Sequence, residues 1–77
     1  MKMSEFERLA QAEQLDILYT DGAFVGKLRN AEFIRLLYQL NEFYVEVIYT
    51  RHRFQVHAIR FTDGTDILEP YLSQIKL

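Results

Sequence analysis

The sequence predicts one α+β domain, in which a four-stranded antiparallel meander sheet carries an N-terminal helix and a short C-terminal helix. Three consecutive segments between Phe33 and Phe61 are rich in aromatic and β-branched residues, and short turn signals separate them. The chain has 77 residues, 49% of them hydrophobic, which is enough for one small core. We therefore expect residues 1–77 to form a single domain.

The N-terminal segment is expected to be helical from about Glu5 to Tyr19. Ser4-Glu-Phe-Glu7 has the spacing of a capping box, in which a serine and a glutamate bond each other's backbone amides. The apolar residues do not all fall on one helical face, which predicts a break near residues 9–12. Asp21-Gly22 should end the helix, because glycine readily takes the left-handed conformation common at helix ends.

The four strands are predicted in sequence order, as Ala23 to Arg29, Phe33 to Leu40, Phe43 to Thr50 and Arg53 to Thr62. The second is ambiguous, because its apolar residues also have helical spacing and Asn30 could cap a helix there. Only Asn41 and Glu42 separate it from the next strand, however. Two residues suit a tight hairpin turn better than a helix-to-strand connection, so we interpret this segment as a strand.

The last segment is expected to form a short helix on the same side of the sheet as the first. It follows a turn at Asp63-Gly64, and Thr65 or Asp66 could cap it. Pro70 suits its first position, where the missing N–H group costs nothing. The apolar stripe of this helix would consist of Tyr71, Leu72 and Ile75.

Three segments of the chain resemble parts of short uncharacterised bacterial proteins. They are Asp21-Gly-Ala-Phe-Val-Gly-Lys27, Tyr38-Gln-Leu-Asn-Glu-Phe-Tyr-Val-Glu46 and Pro70-Tyr-Leu-Ser-Gln-Ile75. The likeness covers most of the chain after residue 12. In those proteins the segment like residues 33–40 is richer in β-branched residues, so the resemblance implies a strand there. It implies no activity.

Charge and residue usage limit the classes of function. The net charge is −2, which predicts no strong attraction to nucleic acids or membranes. Residues 23–60 are net basic and both flanking segments are net acidic, which we interpret as complementarity between sheet and helices. The chain has no cysteine, no signal-like start and no apolar stretch of about 20 residues. We therefore expect a soluble cytoplasmic protein.

Strand alternation predicts that the sheet face away from the helices is more apolar than a solvated face would be. Such a face indicates a protein-binding surface, most simply a homodimer interface, or else a face covered by part of the long N-terminal helix. The residues assigned to this binding surface are Leu37, Ile48, Ile59, Phe61, Arg35 and Tyr44.

Nucleic-acid binding is an alternative function. Arg51 and Arg53 lie in a charged turn, and Arg60 follows on the next strand near several tyrosines. Basic hairpins contact phosphates and aromatic strands stack bases, so these three arginines are the candidate contacts. The patch is small and the net charge is negative, so a solvated turn is the better interpretation.

An enzyme is the third reading. If Tyr49 pairs with Phe54, Glu46 lies directly opposite His57, and a carboxylate–imidazole pair can perform acid–base catalysis. Such a pair is more often a cross-strand contact that stabilises a sheet, and we expect that role here. The histidines at positions 52 and 57 would point to opposite faces, so no metal site is expected.

The sequence therefore predicts a non-catalytic domain that acts through protein contacts, with itself or with another protein. No catalytic residue, cofactor or metal ligand is expected. Neither the identity of a partner nor the biological role follows from these residues.

Overall fold

The computed structural model describes residues 1–72. Its elements in chain order are helices α1 (Met3–Glu7) and α2 (Gln11–Asp21), strands β1 (Ala23–Arg29), β2 (Phe33–Leu40), β3 (Phe43–Thr50) and β4 (Val56–Thr62), a 3-10 turn (Asp66–Leu68) and helix α3 (Glu69–Leu72). The strands are antiparallel and lie in the order β1-β2-β3-β4. The predicted fold class is confirmed, and residues 33–40 form a strand.

The turn between β2 and β3 has the two residues on which the strand prediction depended. Asn41 takes a left-handed backbone conformation with φ 56°, which asparagine tolerates better than most residues. Leu40 pairs with Phe43 next to this turn, and the ladder continues without a shift to Phe33 and Thr50. The hairpin turn thus fixes which face of the sheet each side chain occupies.

The N-terminal helix is interrupted at residues 8–10, as its apolar pattern predicted. Its start differs from the prediction, because Lys2 lies at the N-cap and its backbone N–H donates to Glu5 Oε1 at 2.9 Å. The capping box predicted at Ser4 is therefore wrong. The Gln14 side chain donates from Nε2 to the Phe6 carbonyl oxygen at 2.8 Å, which holds α2 against α1.

Gly22 ends α2 as predicted, but not in a left-handed conformation. Its φ is −76° and its ψ is 142°, which is extended backbone. A Cβ at this position would lie 2.6 Å from the Leu18 carbonyl oxygen. Glycine is needed here because the chain leaves the helix too close to its last turn for a side chain.

Helices α1 and α2 cover one face of the sheet, which we call the first face, over β3, β4 and the end of β2 at Tyr38 and Leu40. Phe6 and Leu18 are fully buried there, with Val45 and Val47 from β3. The Phe6 ring meets the rings of Phe43 and Phe61 edge-on, with centroid distances of 5.6 and 5.7 Å. Burial of each such apolar side chain contributes about 1.5–3 kcal/mol, so this cluster is the main core.

The C-terminal segment packs on the opposite face, which we call the second face. Both terminal helices were expected on one side of the sheet, and that prediction is wrong. Leu37 of β2 forms a buried cluster with Ile67 and Tyr71. Gly26 gives this cluster room, because a Cβ there would lie 3.0 Å from Tyr71 Cδ1.

The C-terminal helix differs in detail from its prediction. Pro70 occupies the second position of α3, behind Glu69. Tyr71 is buried as expected, whereas Leu72 is 56% exposed. The third member of the predicted stripe, Ile75, lies outside the described residues.

Strand β4 begins at Val56, later than the predicted Arg53, and contains a bulge. Ile48 pairs with Ala58, but the next residue of β3, Tyr49, pairs with Val56. One residue, His57, is therefore extra on β4, and the alternation of side chains changes there.

The bulge reverses the predicted faces of the following β4 residues. Ile59 lies opposite Val47 and Phe61 lies opposite Val45, and both β4 side chains pack against the first-face core. They were expected on the opposite face. A one-residue change of register moves every later side chain of a strand to the other face.

Candidate interaction surface

The β1–β2 half of the first face forms a shallow apolar groove beside α2. This open groove is lined by Lys27, Ile34, Leu36, Tyr49 and Phe54, and its volume is about 250 Å³. Cross-strand pairing sets Lys27 beside Leu36 and Ile34 beside Tyr49. The floor is therefore aliphatic, with an aromatic ring at one end and a lysine along one side.

Phe54 is the most exposed large apolar side chain of residues 1–72, at 71%. Its backbone is left-handed with φ 53°, which is rare for a bulky residue. The turn imposes this conformation, because Phe54 N–H donates to the Thr50 carbonyl oxygen and Thr50 N–H donates to the Gln55 carbonyl oxygen, both at 2.9 Å. Such strain costs about 1–3 kcal/mol and tends to occur at functional sites.

Tyrosines form the side of the groove next to α2. The hydroxyl groups of Tyr19 and Tyr49 are hydrogen-bonded at 2.6 Å. Burial, and then the hydrogen bond from Tyr19, raise the pKa of Tyr49. Burial, and then the proximity of Tyr19, raise the pKa of Tyr38. The hydroxyls of Tyr19 and Tyr49 therefore lie together, and the side chains of Tyr38 and Tyr49 are partly buried beside α2.

Two further aromatic residues extend the apolar surface beyond the groove. Phe24 on β1 is 58% exposed, and its ring meets that of Tyr38 edge-on at 5.8 Å. Tyr19 on α2 is also 58% exposed. With Phe54, these residues form the aromatic rim of the groove: Tyr19, Phe24 and Phe54.

The two elements beside the groove carry opposite charge. Strand β1 contains Lys27 and Arg29 and no acidic residue, whereas α2 contains Glu13, Asp16 and Asp21 and no basic residue. The salt bridge that forms among residues 1–72 joins Arg60 to Glu46, on the second face of the sheet. The charges beside the groove are therefore not neutralised by salt bridges within the described chain.

The six residues predicted to form one exposed binding surface are divided between the two faces. Ile59 and Phe61 belong to the first-face core. On the second face, Leu37 is fully buried, Ile48 is 7% exposed, and Tyr44 packs against the cluster beneath α3. The predicted exposed face is thus wrong in its placement, because the C-terminal segment covers it.

Arg35, the remaining member of that set, lies on the second face opposite Ile48. Its Nε is buried and has no hydrogen-bond partner among the described residues. It lines a cleft of about 290 Å³ together with Glu46, Arg60 and Asp66. Two cations and two carboxylates face this cleft, so its charges balance.

Glu46 is buried beside this cleft, and two side chains bond its carboxylate. The Tyr71 hydroxyl donates to Oε2 at 2.7 Å, and Arg60 donates from Nη1 to Oε1 at 3.3 Å. Burial, followed by the bond to Glu46, raises the pKa of Tyr71. This carboxylate therefore fastens α3 to the sheet.

The predicted contact between Glu46 and His57 is wrong. The register sets Arg60 opposite Glu46, because Tyr49 pairs with Val56 and not with Phe54, and the bulge at His57 then shifts the pairing by one more residue. The His57 ring instead lies 4.8 Å from that of Phe33. The pairing on which the catalytic reading depended does not form.

The three arginines proposed to contact nucleic acid do not form one patch, because two lie in the turn before β4 and one lies on β4 itself. Arg51 and Arg53 are exposed in the turn beside Phe54. Arg51 donates from Nη1 to the Asn30 carbonyl oxygen at 3.0 Å, which leaves part of its guanidinium free. Arg60 is on β4 and pairs with Glu46.

The signal that sequence reasoning missed is Phe54. It was assigned to a continuous strand, in which an aromatic residue reads as part of the core. The cluster of turn residues Arg51-His52-Arg53 just before it could have suggested that position 54 still belongs to the turn.

No family model matches the chain, and neither a curated protein nor a solved structure is detectably similar to it. Within residues 1–72, no helix is long and apolar enough to cross a membrane. The same part of the chain holds no group of three or more histidine or acidic side chains arranged for a metal ion. Its function must therefore be inferred from the geometry of its surface.

Proposed function

We propose that this chain is a small non-catalytic domain that binds another protein chain through the open groove. The observation that carries the proposal is Phe54, an aromatic side chain held in solvent by a strained turn beside an aliphatic floor. Exposed apolar surface of this kind usually marks an interaction site. Aromatic residues in pockets contribute a large share of the binding energy in protein interfaces.

The floor of the groove favours a protein partner. Ile34 and Leu36 offer aliphatic surface, which packs well against apolar side chains, whereas bases stack on aromatic rings. The carboxylates of α2 lie beside the groove and would repel a phosphate backbone. The net charge of −2 acts in the same direction.

Nucleic-acid binding is the second candidate, and one observation favours it. Phe54 stands exposed directly beside Arg51 and Arg53, and a ring flanked by cations is a typical contact for a single-stranded base. Fluorescence anisotropy with a labelled single-stranded oligonucleotide tests it. Binding that weakens steeply with salt and is lost in Arg53→Glu would support this candidate, and no binding at low salt would remove it.

Capture of protein partners from lysate tests the main proposal. The bait is the wild-type chain, compared with Phe54→Asp and with the matched control Leu72→Asp, which changes an exposed apolar residue on the second face. We expect wild type and Leu72→Asp to retain the same proteins, including copies of this chain where it is expressed, and Phe54→Asp to lose them.

Retention of one unchanged set of proteins by all three baits would contradict the proposal. A circular dichroism spectrum and a thermal unfolding curve of each bait establish that the variants are folded. The cytoplasmic location expected from the sequence stays a prediction, and fractionation of the native cell tests it.

A further inference from the structure

We infer that the partner in the open groove is a second copy of this chain, docked face to face about a two-fold axis. The inference rests on the proposed function, because it names the occupant of the same groove. Three observations support it. They are the opposite charges on the two sides of the groove, the helices that stand above one part of the first face, and the area of exposed apolar surface.

The charges beside the groove are self-complementary. On one side of the groove β1 carries the exposed Lys27 and Arg29, and on the other side α2 carries the exposed Glu13 and Asp16. A two-fold axis that runs along the groove brings β1 of each copy opposite α2 of the other. Each interface then contains the basic–acidic contact twice, and complementary charge of this kind fixes orientation and speeds association.

On the first face the part covered by helices stands higher than the open groove. The helices of one copy can therefore fill the groove of the other. Helices α1 and α2 cover β3, β4 and the end of β2 at Tyr38 and Leu40. Among residues 1–72, no helix residue lines the groove over Ile34 and Leu36. In a two-fold pair, the helical layer of one copy lies over the open groove of the other. Ile34 and Leu36 are then covered, and Phe54 of each copy enters the interface beside them.

The exposed apolar strip supplies about half of the area that a dimer needs. The three residues of the aromatic rim are between 58% and 71% exposed, and an aromatic side chain buries about 150–250 Å² when fully covered. They therefore supply roughly 280–470 Å² of the roughly 800 Å² per partner of a standard interface, and the partly buried groove floor adds to it. A domain of this length commonly gains stability from self-association.

Charge reversal in trans tests the two-fold arrangement. The β1 variant carries Lys27→Glu and Arg29→Glu, and the α2 variant carries Glu13→Lys and Asp16→Lys. Each variant alone sets like charges against each other twice in the interface. We expect its self-association to be at least about tenfold weaker than that of wild type, as measured by sedimentation equilibrium.

Mixing the two variants restores opposite charges at both contacts, so we expect a heterodimer. Native mass spectrometry distinguishes it from either homodimer by mass. Leu72→Asp, on the second face, should associate like wild type. Salt should weaken the wild-type dimer and the heterodimer alike, because the charges at the edge of the interface are screened.

Three results would overturn the inference: a wild-type chain that is monomeric at high micromolar concentration, charge variants that dimerise as tightly as wild type, or a mixture without heterodimer. If the charge variants fail to fold, Phe54→Asp in the exposed turn replaces them as the test. A folded Phe54→Asp variant that still dimerises would also overturn the inference. Capture of other proteins that depends on Phe54, by a chain that is monomeric, would leave the proposed function standing and remove only the second copy as partner.

Discussion

Single residues show how strongly the register of this sheet determines local chemistry. The carboxylate of Glu46 receives hydrogen bonds from Tyr71 and Arg60. The later start of β4 and the bulge at His57 together set Arg60 opposite Glu46, where a pairing of Tyr49 with Phe54 would have set His57. A buried carboxylate needs such donors, because a charge without partners in the interior is strongly destabilising. Glu46 is therefore a structural anchor for the C-terminal segment.

Removal of one donor to this carboxylate should lower stability. In Tyr71→Phe the ring that fills the second-face cluster stays, and the hydroxyl that bonds Glu46 is lost. We expect the free energy of unfolding to fall by about 1.5–3 kcal/mol, the usual contribution of a hydrogen bond to a charged group. Urea denaturation measures it.

Tyr44→Phe is the matched control, because the Tyr44 hydroxyl makes no hydrogen bond among residues 1–72 and its ring lies in the same cluster. The free energy of unfolding should fall by well below 1 kcal/mol in Tyr44→Phe, as expected for a hydroxyl without a protein hydrogen bond in the folded state. Equal losses in the two variants would show that the bond to Glu46 contributes nothing.

Two tyrosine hydroxyls should make the fold sensitive to alkali. The pKa values of Tyr49 and Tyr71 are raised in the folded chain, whereas tyrosine in an unfolded chain ionises near pH 10. The folded state holds these protons more tightly, so their stabilisation is fully present below about pH 10 and is lost as the pH rises through the folded pKa values.

We therefore expect the urea midpoint to drop between about pH 8 and about pH 11. The drop should be smaller in a variant that carries both Tyr49→Phe and Tyr71→Phe, because these groups then no longer ionise. An identical pH dependence in wild type and the double variant would contradict the claim that Tyr49 and Tyr71 make the fold sensitive to alkali.

The strained residue Phe54 should be dispensable for folding. Asparagine adopts the left-handed conformation more readily than phenylalanine does, and the Phe54 side chain is mostly in solvent. We expect Phe54→Asn to be at least as stable as wild type in thermal unfolding of the monomer at low concentration. A loss of more than about 1 kcal/mol would mean that Phe54 belongs to the core, and the argument for a binding role would fail.

At the scale of elements, the sequence predicts the helices and strands well and their faces less well. Short turns and apolar periodicity are local signals, so the four strands and the break between α1 and α2 follow from them. The bulge at His57 depends on how β4 meets β3 and on the left-handed turn at Phe54, neither of which periodicity reveals. The predicted faces of Ile59 and Phe61 therefore failed together.

The position of α3 was also beyond the sequence pattern, because a helix of four residues has no face of its own to predict. What places it is the packing of the Tyr71 ring over Gly26 of β1 and the hydrogen bond from Tyr71 to Glu46. Glycine in a strand can mark a site where another group approaches the backbone closely. Gly26 was the available clue that the second face is covered.

Gly26→Ala should disturb this packing. A Cβ there lies 3.0 Å from Tyr71 Cδ1, so the ring must move, and we expect a loss of about 1–3 kcal/mol in urea denaturation. Gly64→Ala is the matched control, since its Cβ would meet Thr62 Oγ1 at an ordinary 3.5 Å. The loss from Gly26→Ala should shrink in a Tyr71→Leu background, and a loss that is unchanged there would place the strain elsewhere.

At the scale of the whole molecule, the sheet is covered on both faces, and on each face only in part. The N-terminal helices bury β3, β4 and one end of β2 on the first face, and the C-terminal segment buries the middle of the second. The sequence has more apolar strand residues than one sheet face needs, but most of them are buried beneath the helices on the two faces. What remains outside is the open groove with its aromatic rim, on the face that was expected to be fully covered.

The central claim is that a second copy of the chain occupies this groove, and isotope-filtered NMR tests it most directly. A mixture of ¹³C-labelled and unlabelled protein reports only contacts between copies. We predict intermolecular nuclear Overhauser effects from the Phe54 ring of one copy to the Ile34 and Leu36 methyl groups of the other, and their loss in Phe54→Asp. Intermolecular effects confined to the second face, or none at high micromolar concentration, would contradict the claim.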